Sequence, residues 1–311
     1  MRFGDRVNAT RRVALVIPAR NECRLLPRVL EAVPAWVWKV IVVDDASRDR
    51  TWGVLREWRD PRARRLRSER RLGVGGAILL GYREALALGA TCAVVVGGDA
   101  QMDLAELPLV LDPIARGEAD YVQGNRFRGG APSGPMPAAR VLGNRVLSAA
   151  ASWSAGRAIA DSQCGFTAAT ARALRLLDPA SLPHGYGFPA FARLEMHRME
   201  LRVAEVPVSA LYGSEVSGIR PWRDPALILA RILWRGVARR AREVAPRLRA
   251  LAVPGARKIG DAARQPPASH ELKRDAPRPA AIHRPEAYLP GTITNLPSTT
   301  LGVPDRAGGP A

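Results

Sequence analysis

The chain has 311 residues, 47% of them apolar, enough for a sizeable core in one large domain or two small ones. Its 47 Lys and Arg against 29 Asp and Glu give a net charge of +18, which calls for an anionic partner: nucleic acid, a membrane surface or phosphorylated small molecules. Aromatic residues are only 5%, too few to interleave with the basic residues as nucleic-acid binding requires, so no nucleic-acid partner is expected.

The first half alternates strands and helices. Val13 to Ile17 is a short apolar run ended by Pro18, and Cys23 to Val33 has helical spacing through Leu26, Val29, Leu30 and Val33. Val40 to Val43 is a second apolar run, closed by Asp44-Asp45. Residues 48–58 read as a helix, 75–88 as another, 91–96 as a strand, 104–116 as a helix and 120–123 as a short strand. Continuous β-branched runs between helices mean parallel strands buried on both faces, hence an open α/β sheet. The basic stretch 56–71, with eight Arg and three acids, reads as a solvated surface. Gly- and Pro-rich residues 124–140 should form a mobile loop. Helices are expected at 141–155 and 187–200, with a turn at DSQCGF (161–166) and a strand at 201–208.

Residues 225–243 change character. Arg231, Arg235, Arg239 and Arg242 fall on one helical face, and Leu229, Leu233, Trp234 and Val237 on the other. Such a basic amphipathic helix suits an anionic membrane surface, although docking on the domain through Leu233 and Trp234 is the plain alternative. Ten prolines lie between residues 254 and 311, and disorder is expected there. The division is a lead at 1–11, a domain at 12–222, the basic helix at 223–249 and a disordered tail at 250–311. The three cysteines, Cys23, Cys92 and Cys164, form no CxxC or Cys/His pair, so zinc is not expected and free thiols in a reducing cytosol are. No signal core or run of 18 apolar residues is present, and a cytoplasmic, peripheral protein is the expectation.

Open α/β sheets bind ligands beyond the carboxyl ends of their strands. Three polar clusters stand there: Pro18-Ala19-Arg20-Asn21-Glu22, Asp44-Asp45 and Asp99-Ala100-Gln101-Met102-Asp103. Breaking the bond between a nucleoside diphosphate and a sugar adds negative charge to the diphosphate, which a divalent metal stabilises. Asp99 and Gln101 are hard oxygen ligands suited to Mg²⁺ or Mn²⁺, and Asp103 offers a third. The plain alternatives are that Asp44 and Asp45 cap a helix and that Asp103 caps the helix beginning at Leu104.

Seven stretches carry a resemblance: IPARNE (17–22), VVDDASRDRT (42–51), GVGGAILLGYREAL (73–86), GDAQMD (98–103), GNRF (124–127), DSQCGF (161–166) and EVPV (205–208). They occur in the order seen in family 2 glycosyltransferases. From about residue 12 to 220 the chain resembles dolichyl- or polyprenyl-phosphate mannosyl- and glucosyltransferases. The resemblance implies a GT-A fold and inverting transfer of a hexose from a GDP- or UDP-sugar, assisted by Mg²⁺ or Mn²⁺. It implies that Pro18, Ala19, Glu22, Asp45 or Asp44, and Gly73 contact the donor. Asp99 and Gln101 would hold the metal, Arg126 would lie on the acceptor side, and Asp161 and Gln163 would line the sugar pocket. The family usually has Asp-x-Asp-x-Gln where Gly97-Gly98-Asp99-Ala100-Gln101 stands here. It often has Arg-x-x-Gly-x-Ser-Lys where residues 212–218 stand, and Asn at Arg71. Arg220 or Arg223 would substitute for the missing basic pair.

A sugar-hydroxyl acceptor needs a general base, whereas a polyprenyl phosphate is already anionic and needs cationic orientation. No further acidic motif supplies a base, which favours the lipid phosphate. Transfer to a cell-wall glycan or soluble acceptor, or a weakened nucleotide-sugar-binding scaffold, are the alternatives.

Overall fold

The structure is a computed structural model and describes residues 12–128, 131–132, 134–211, 223–251 and 293–295. The expected N-terminal lead, the Tyr212–Gly218 stretch with Arg220, and nearly all of the tail lie outside the described residues.

In chain order the elements are β1 (Val13–Ala19), α1 (Leu26–Glu31), β2 (Lys39–Asp45), α2 (Thr51–Glu57), β3 (Ala63–Ser68), α3 (Val74–Ala87), β4 (Cys92–Val95), α4 (Leu107–Ala115) and β5 (Tyr121–Asn125). There follow the short strands β6 (Phe127–Arg128) and β7 (Ala131–Pro132), then α5 (Ala138–Ala155), β8 (Thr167–Thr170), α6 (Ala171–Leu176), α7 (Phe188–Arg198), β9 (Val203–Pro207), α8 (Arg223–Leu251) and β10 (Ile293–Asn295). Eight strands form one sheet in the order β10-β3-β2-β1-β4-β8-β5-β9. Strands β1 to β4 run parallel, β8 is antiparallel to both β4 and β5, and β9 is parallel to β5. The carboxyl ends of β1–β5 and β9 therefore share one edge. This is the GT-A fold.

Alternation along each strand sorts the core into two layers. Ala14, Val16, Ile41 and Val43 face α3, α5 and α7, meeting Ala77, Leu147 and Phe191 in one cluster. Val13, Leu15, Ile17, Val40 and Val42 face α1, α2 and α4, meeting Leu26, Leu55 and Leu107 in the other. Strands with apolar side chains on both faces fit only between two helical layers.

The structure corrects the solvated reading of 56–71 over residues 63–68, while Arg56, Arg59, Arg70 and Arg71 are exposed as expected. Strand β3 runs through that stretch and pairs with β2 from Val40↔Ala63 to Asp45↔Ser68. Its arginines are placed by local partners. Arg65 is only 8% exposed; Nη2 donates to the Trp58 carbonyl and the guanidinium lies over the Trp58 ring. Arg64 Nε donates to Glu84 Oε1 at 2.6 Å. The expectation of disorder after residue 250 is corrected at one place: β10 pairs antiparallel with β3, Ile293 opposite Ser68. Within 124–140, β6 pairs with β7 and α5 begins at Ala138, three residues earlier than expected.

Helices, sheet and β10 belong to one compact unit that includes α8 as far as Gly236, while Val237–Pro290 is a second unit. In the first unit α8 docks through fully buried Ile232 and through Arg235, which pairs with Glu195 and lies over Phe191 at 4.9 Å. Arg235 is thus not on a solvent-facing basic stripe, as helical spacing suggested; a carboxylate on α7 draws it inward. Leu233 and Trp234 stay exposed, Trp234 at 72%, so they do not dock the helix. In the second unit, Arg239 pairs with Glu243 and Val237 and Val244 are exposed. No helix among the described residues is long and apolar enough to cross a membrane.

Helix α7 also carries His197, whose Nε2 accepts from Arg193 Nε at 3.5 Å. Burial, then the charges of Arg193 and Arg157, push its pKa down from 6.5 to about 4. The folded state thus favours neutral His197, and its contribution to stability is complete above pH 6.5 and lost as pH falls toward 4. Melting temperature should fall across that window in the wild type and less so in His197→Gln; superimposable profiles would contradict the assignment.

Candidate functional site

Three loops at the carboxyl edge of the sheet are laced together. After β1, Asn21 takes a left-handed conformation with φ 57°. Its N–H donates to Ser47 Oγ at 2.9 Å and its Oδ1 accepts from the Arg48 N–H at 2.9 Å. The Glu22 N–H donates to Thr51 Oγ1 at 2.8 Å, and Arg20 Nη1 to the Asp45 carbonyl at 2.7 Å. These bonds fix the β1 loop against the β2 loop. The β4 loop joins from the other side, with Gly98 N–H donating to the Pro18 carbonyl at 3.2 Å.

The two aspartates ending β2 have separate duties. Asp44 is fully buried; Oδ1 accepts from the Ser47 N–H at 3.0 Å, and Oδ2 lies 3.3 Å from Arg67 Nε in an ion pair that lacks hydrogen-bond geometry. It supports the loop from beneath. Asp45 accepts from the N–H groups of Leu72 and Gly73 and ties down the loop before α3. Neither caps α2, whose N-cap is Arg50.

Gly73 is held at φ 81°, ψ 161°, and a Cβ there would lie 2.3 Å from the His184 carbonyl oxygen. That backbone region is open essentially to glycine alone. Gly73→Ala therefore combines strain with a clash against rigid backbone and should destabilise the fold by about 3 kcal/mol. Chemical denaturation measures this; a loss under about 1 kcal/mol would mean the loop moves freely.

Asp99 stands at the end of β4, beside Glu22. Burial first, then the negative charges of Asp99 and Asp49, push the Glu22 carboxyl up to about 7. Negative charge gathered in this way favours a cation. Asp99 Oδ1 accepts from the Gln101 N–H at 3.3 Å across Ala100, which is left-handed at φ 57°. A Cβ on Gly97 would lie 2.6 Å from Asp99 Oδ1, so Asp99 leans into the space that a side chain at 97 would take.

Asp103 is used differently. Its Oδ1 accepts from the Ala105 N–H at 2.9 Å and caps the turn of 3-10 helix at Leu104–Glu106. Among the described residues no three His, Cys, Asp or Glu side chains form a metal-holding group, so Asp103 does not complete a carboxylate triad with Asp99. One or two carboxylates suffice for Mg²⁺ or Mn²⁺ when phosphate oxygens supply the other positions, and Asp99 with Glu22 beside it fits that requirement.

A second arrangement adjoins β4. Gln101 and Arg126 line one crevice with Gly165 and Ser209. Arg126 grips Asp161 through Nε–Oδ2 at 2.7 Å and Nη2–Oδ1 at 3.0 Å. Asp161 is fully buried and also accepts from the N–H groups of Arg126 and Gln163. It positions Arg126 and is not itself open to a ligand. Gln163 Nε2 donates to Ser162 Oγ at 2.9 Å. Behind them Glu205 pairs with Arg193 and accepts from the Ala160 N–H at 3.0 Å, holding the turn that carries Asp161.

The structure thus brings Pro18, Ala19, Glu22, Asp45, Gly73 and Asp99 to one corner, and Gln101 with Arg126 beside it; Asp44, Asp103 and Asp161 are engaged by the fold. Tyr186 was not foreseen. Burial raises its phenol pKa, Arg71 lowers it, and the charges of Asp224, Asp99 and Glu22 raise it, so it lies within electrostatic reach of this corner. It sits in HGYGF (184–188), ahead of α7, where no periodicity marks it.

The profile of Glycosyl transferase family 2 matches residues 14–175. The chain is 27% identical over 219 residues to a UDP-N-acetylglucosamine–dolichyl-phosphate N-acetylglucosaminyltransferase of Methanococcus voltae, covering 66% of this chain and 87% of that protein. It is 32% identical over 205 residues to an undecaprenyl-phosphate mannosyltransferase of Micrococcus luteus, covering 64% and 83%. A solved structure of glucosyl-3-phosphoglycerate synthase from Mycobacterium tuberculosis, in complex with Mn²⁺, UDP and glucosyl-3-phosphoglycerate, superposes with a TM-score of 0.58 at 22% identity, covering 76% of this chain and 84% of that one. Taken with the polar corner at the ends of β1, β2 and β4, these matches show that the chain belongs to glycosyl transferase family 2.

Proposed function

We propose that this glycosyltransferase moves a hexose from a nucleoside diphosphate sugar to a polyprenyl phosphate, with inversion at the anomeric carbon. The reading is carried by the position of Asp99, between the Glu22 loop on one side and the crevice of Gln101 and Arg126 on the other. The nucleoside lies along Pro18, Ala19 and Glu22, against the loop that Asp45 fixes at Gly73. Asp99, with Gln101, would hold Mg²⁺ or Mn²⁺. When bound, that cation neutralises charge on the departing nucleotide.

The acceptor reading is supported by the two named polyprenyl- and dolichyl-phosphate relatives and by the chemistry of the crevice. Arg126 is preset by its two-pronged grip on Asp161, and a preset guanidinium suits an anionic nucleophile. A phosphate oxygen attacks the anomeric carbon from the face opposite the diphosphate; the new C–O bond forms as the old one breaks, and no base is needed to remove a proton. Exposed Leu142 and Trp153 on α5, and Leu227 and Trp234 on α8, offer apolar contacts to a membrane that presents the lipid, with Arg231 for its anionic surface. This supports a peripheral position at a membrane surface.

The test is transfer of label from GDP-mannose, UDP-glucose or UDP-N-acetylglucosamine in the presence of polyprenyl phosphate and Mn²⁺. Label that partitions into the organic phase only when the lipid is present supports the proposal. Label that appears only in soluble products when glycans or phosphorylated small acceptors are supplied overturns the acceptor. Nucleotide binding without transfer to any acceptor would favour the scaffold alternative.

A further inference from the structure

The crevice of Gln101 and Arg126 is walled on one side by Val208, Ser209 and Ala210, the segment that leaves β9. Strand pairing ends at Pro207, opposite Asn125, and one more backbone bond, from the Val208 N–H to the Asn125 carbonyl at 2.9 Å, carries the segment past the sheet. Beyond that its partners come from the β4 loop. Glu106, 103 positions away in sequence, takes three bonds from Ser209. The N–H donates to Oε1 at 3.1 Å and to Oε2 at 2.8 Å, and Oγ donates to Oε1 at 2.8 Å. The Leu211 N–H donates to the Gln101 carbonyl at 3.2 Å. Bonds to a carboxylate are about twice as strong as neutral ones, and Glu106 and Ser209 are both half-buried, so water competes weakly for them. On its other side the wall is packed by the loop before α5, where the Ala210 carbonyl leaves no room for a Cβ on Gly134. The residues from Gly97 to Glu106 thus have two duties: Asp99 stands beside Glu22, while Glu106 and the Gln101 carbonyl hold the wall that faces Arg126.

We propose that Glu106 is a positioning residue for the acceptor: by fixing Ser209, Ala210 and Leu211 it sets the width of the crevice in which the acceptor phosphate meets Arg126. The proposal rests on the reading that this crevice takes the acceptor. Its force comes from geometry, since displacing a reactant by about 1 Å costs on the order of a hundredfold in rate.

The test is transfer kinetics of the full chain, with farnesyl phosphate as a soluble polyprenyl phosphate probe, for the wild type, Glu106→Gln, Ser209→Ala and the double variant. Glutamine matches glutamate in size and keeps one accepting oxygen, so the turn is retained. In Glu106→Gln the KM for the acceptor should rise about tenfold, with donor KM, Mn²⁺ requirement and melting temperature nearly unchanged. Ser209→Ala loses only the Oγ bond and should show a smaller rise. The double variant should be no worse than Glu106→Gln alone, because both changes break one contact. A lower melting temperature with unchanged acceptor KM, or a rise confined to donor KM or Mn²⁺ requirement, would overturn the proposal. Failure of the wild type to glycosylate any polyprenyl phosphate overturns the lipid acceptor and not Glu106, which is then judged by the same KM comparison with the soluble acceptor that takes the label. Transfer to no acceptor overturns both.

Discussion

Asp99→Asn should lower sugar transfer by about a hundredfold or more, with little change in stability. Asparagine keeps the size of the side chain and an oxygen for the Gln101 N–H that Asp99 accepts at 3.3 Å, so the turn survives. The negative charge is what disappears, and with it the ligand for a divalent cation. Removing it also relieves Glu22, whose carboxyl is pushed up partly by Asp99. Higher Mn²⁺ should therefore be needed to reach half-maximal rate, while the melting temperature holds or rises slightly. Asp103→Asn is the matched control. Its carboxylate caps Ala105, so the substitution should cost at most about 1 kcal/mol of stability and leave the rate near wild type. Equal losses of rate in the two variants would remove the basis for assigning the metal to Asp99 and not to Asp103.

Asp161→Asn should cost about 3 kcal/mol of stability and lower transfer as well. Asp161 has no exposed surface, and the Arg126 side chain is only 16% exposed. The pair is therefore shielded from water, and its loss is not softened as at a surface ion pair. Asparagine accepts one hydrogen bond where the carboxylate accepts from both Nε and Nη2 of Arg126, so the guanidinium loses its fixed direction. If Arg126 orients the acceptor phosphate, KM for the acceptor should rise while KM for the donor stays put. A rise in donor KM with an unchanged acceptor KM would place the pair on the wrong side of the site. Denaturant unfolding separates the stability cost from the kinetic one.

Strands β1, β2 and β4 are readable because their side chains are apolar on both faces; their register merely decides which helical layer each residue meets. Strand β3 is hidden by its composition. ARRLRS reads as a charged surface because nothing in the local sequence says that Trp58, Glu84 and Asp44 neutralise or cover its arginines. Each of those partners is brought in by another element. The site has the same character. The positions of Pro18, Glu22 and Asp99 follow from their place at strand ends, since parallel strands bring such ends together. What sequence leaves open is which carboxylates the fold has already engaged. Asp103 caps a turn two residues away, a local bond that spacing does suggest. Asp161 meets Arg126 across 35 positions, and Asp45 meets Gly73 across 28, and no spacing rule covers either. Gly97 gains a physical reason: Asp99 occupies the room a side chain there would need.

The central claim is that the corner between β1 and β4 is the metal and diphosphate site. A crystal structure of the protein with Mn²⁺ and the nucleoside diphosphate that binds it most tightly tests this most directly, because anomalous scattering locates the metal. The expected result is Mn²⁺ coordinated by Asp99 and by phosphate oxygens, with the nucleoside along Pro18–Ala19. Mn²⁺ and diphosphate bound elsewhere, with no contact to Asp99, would contradict the account.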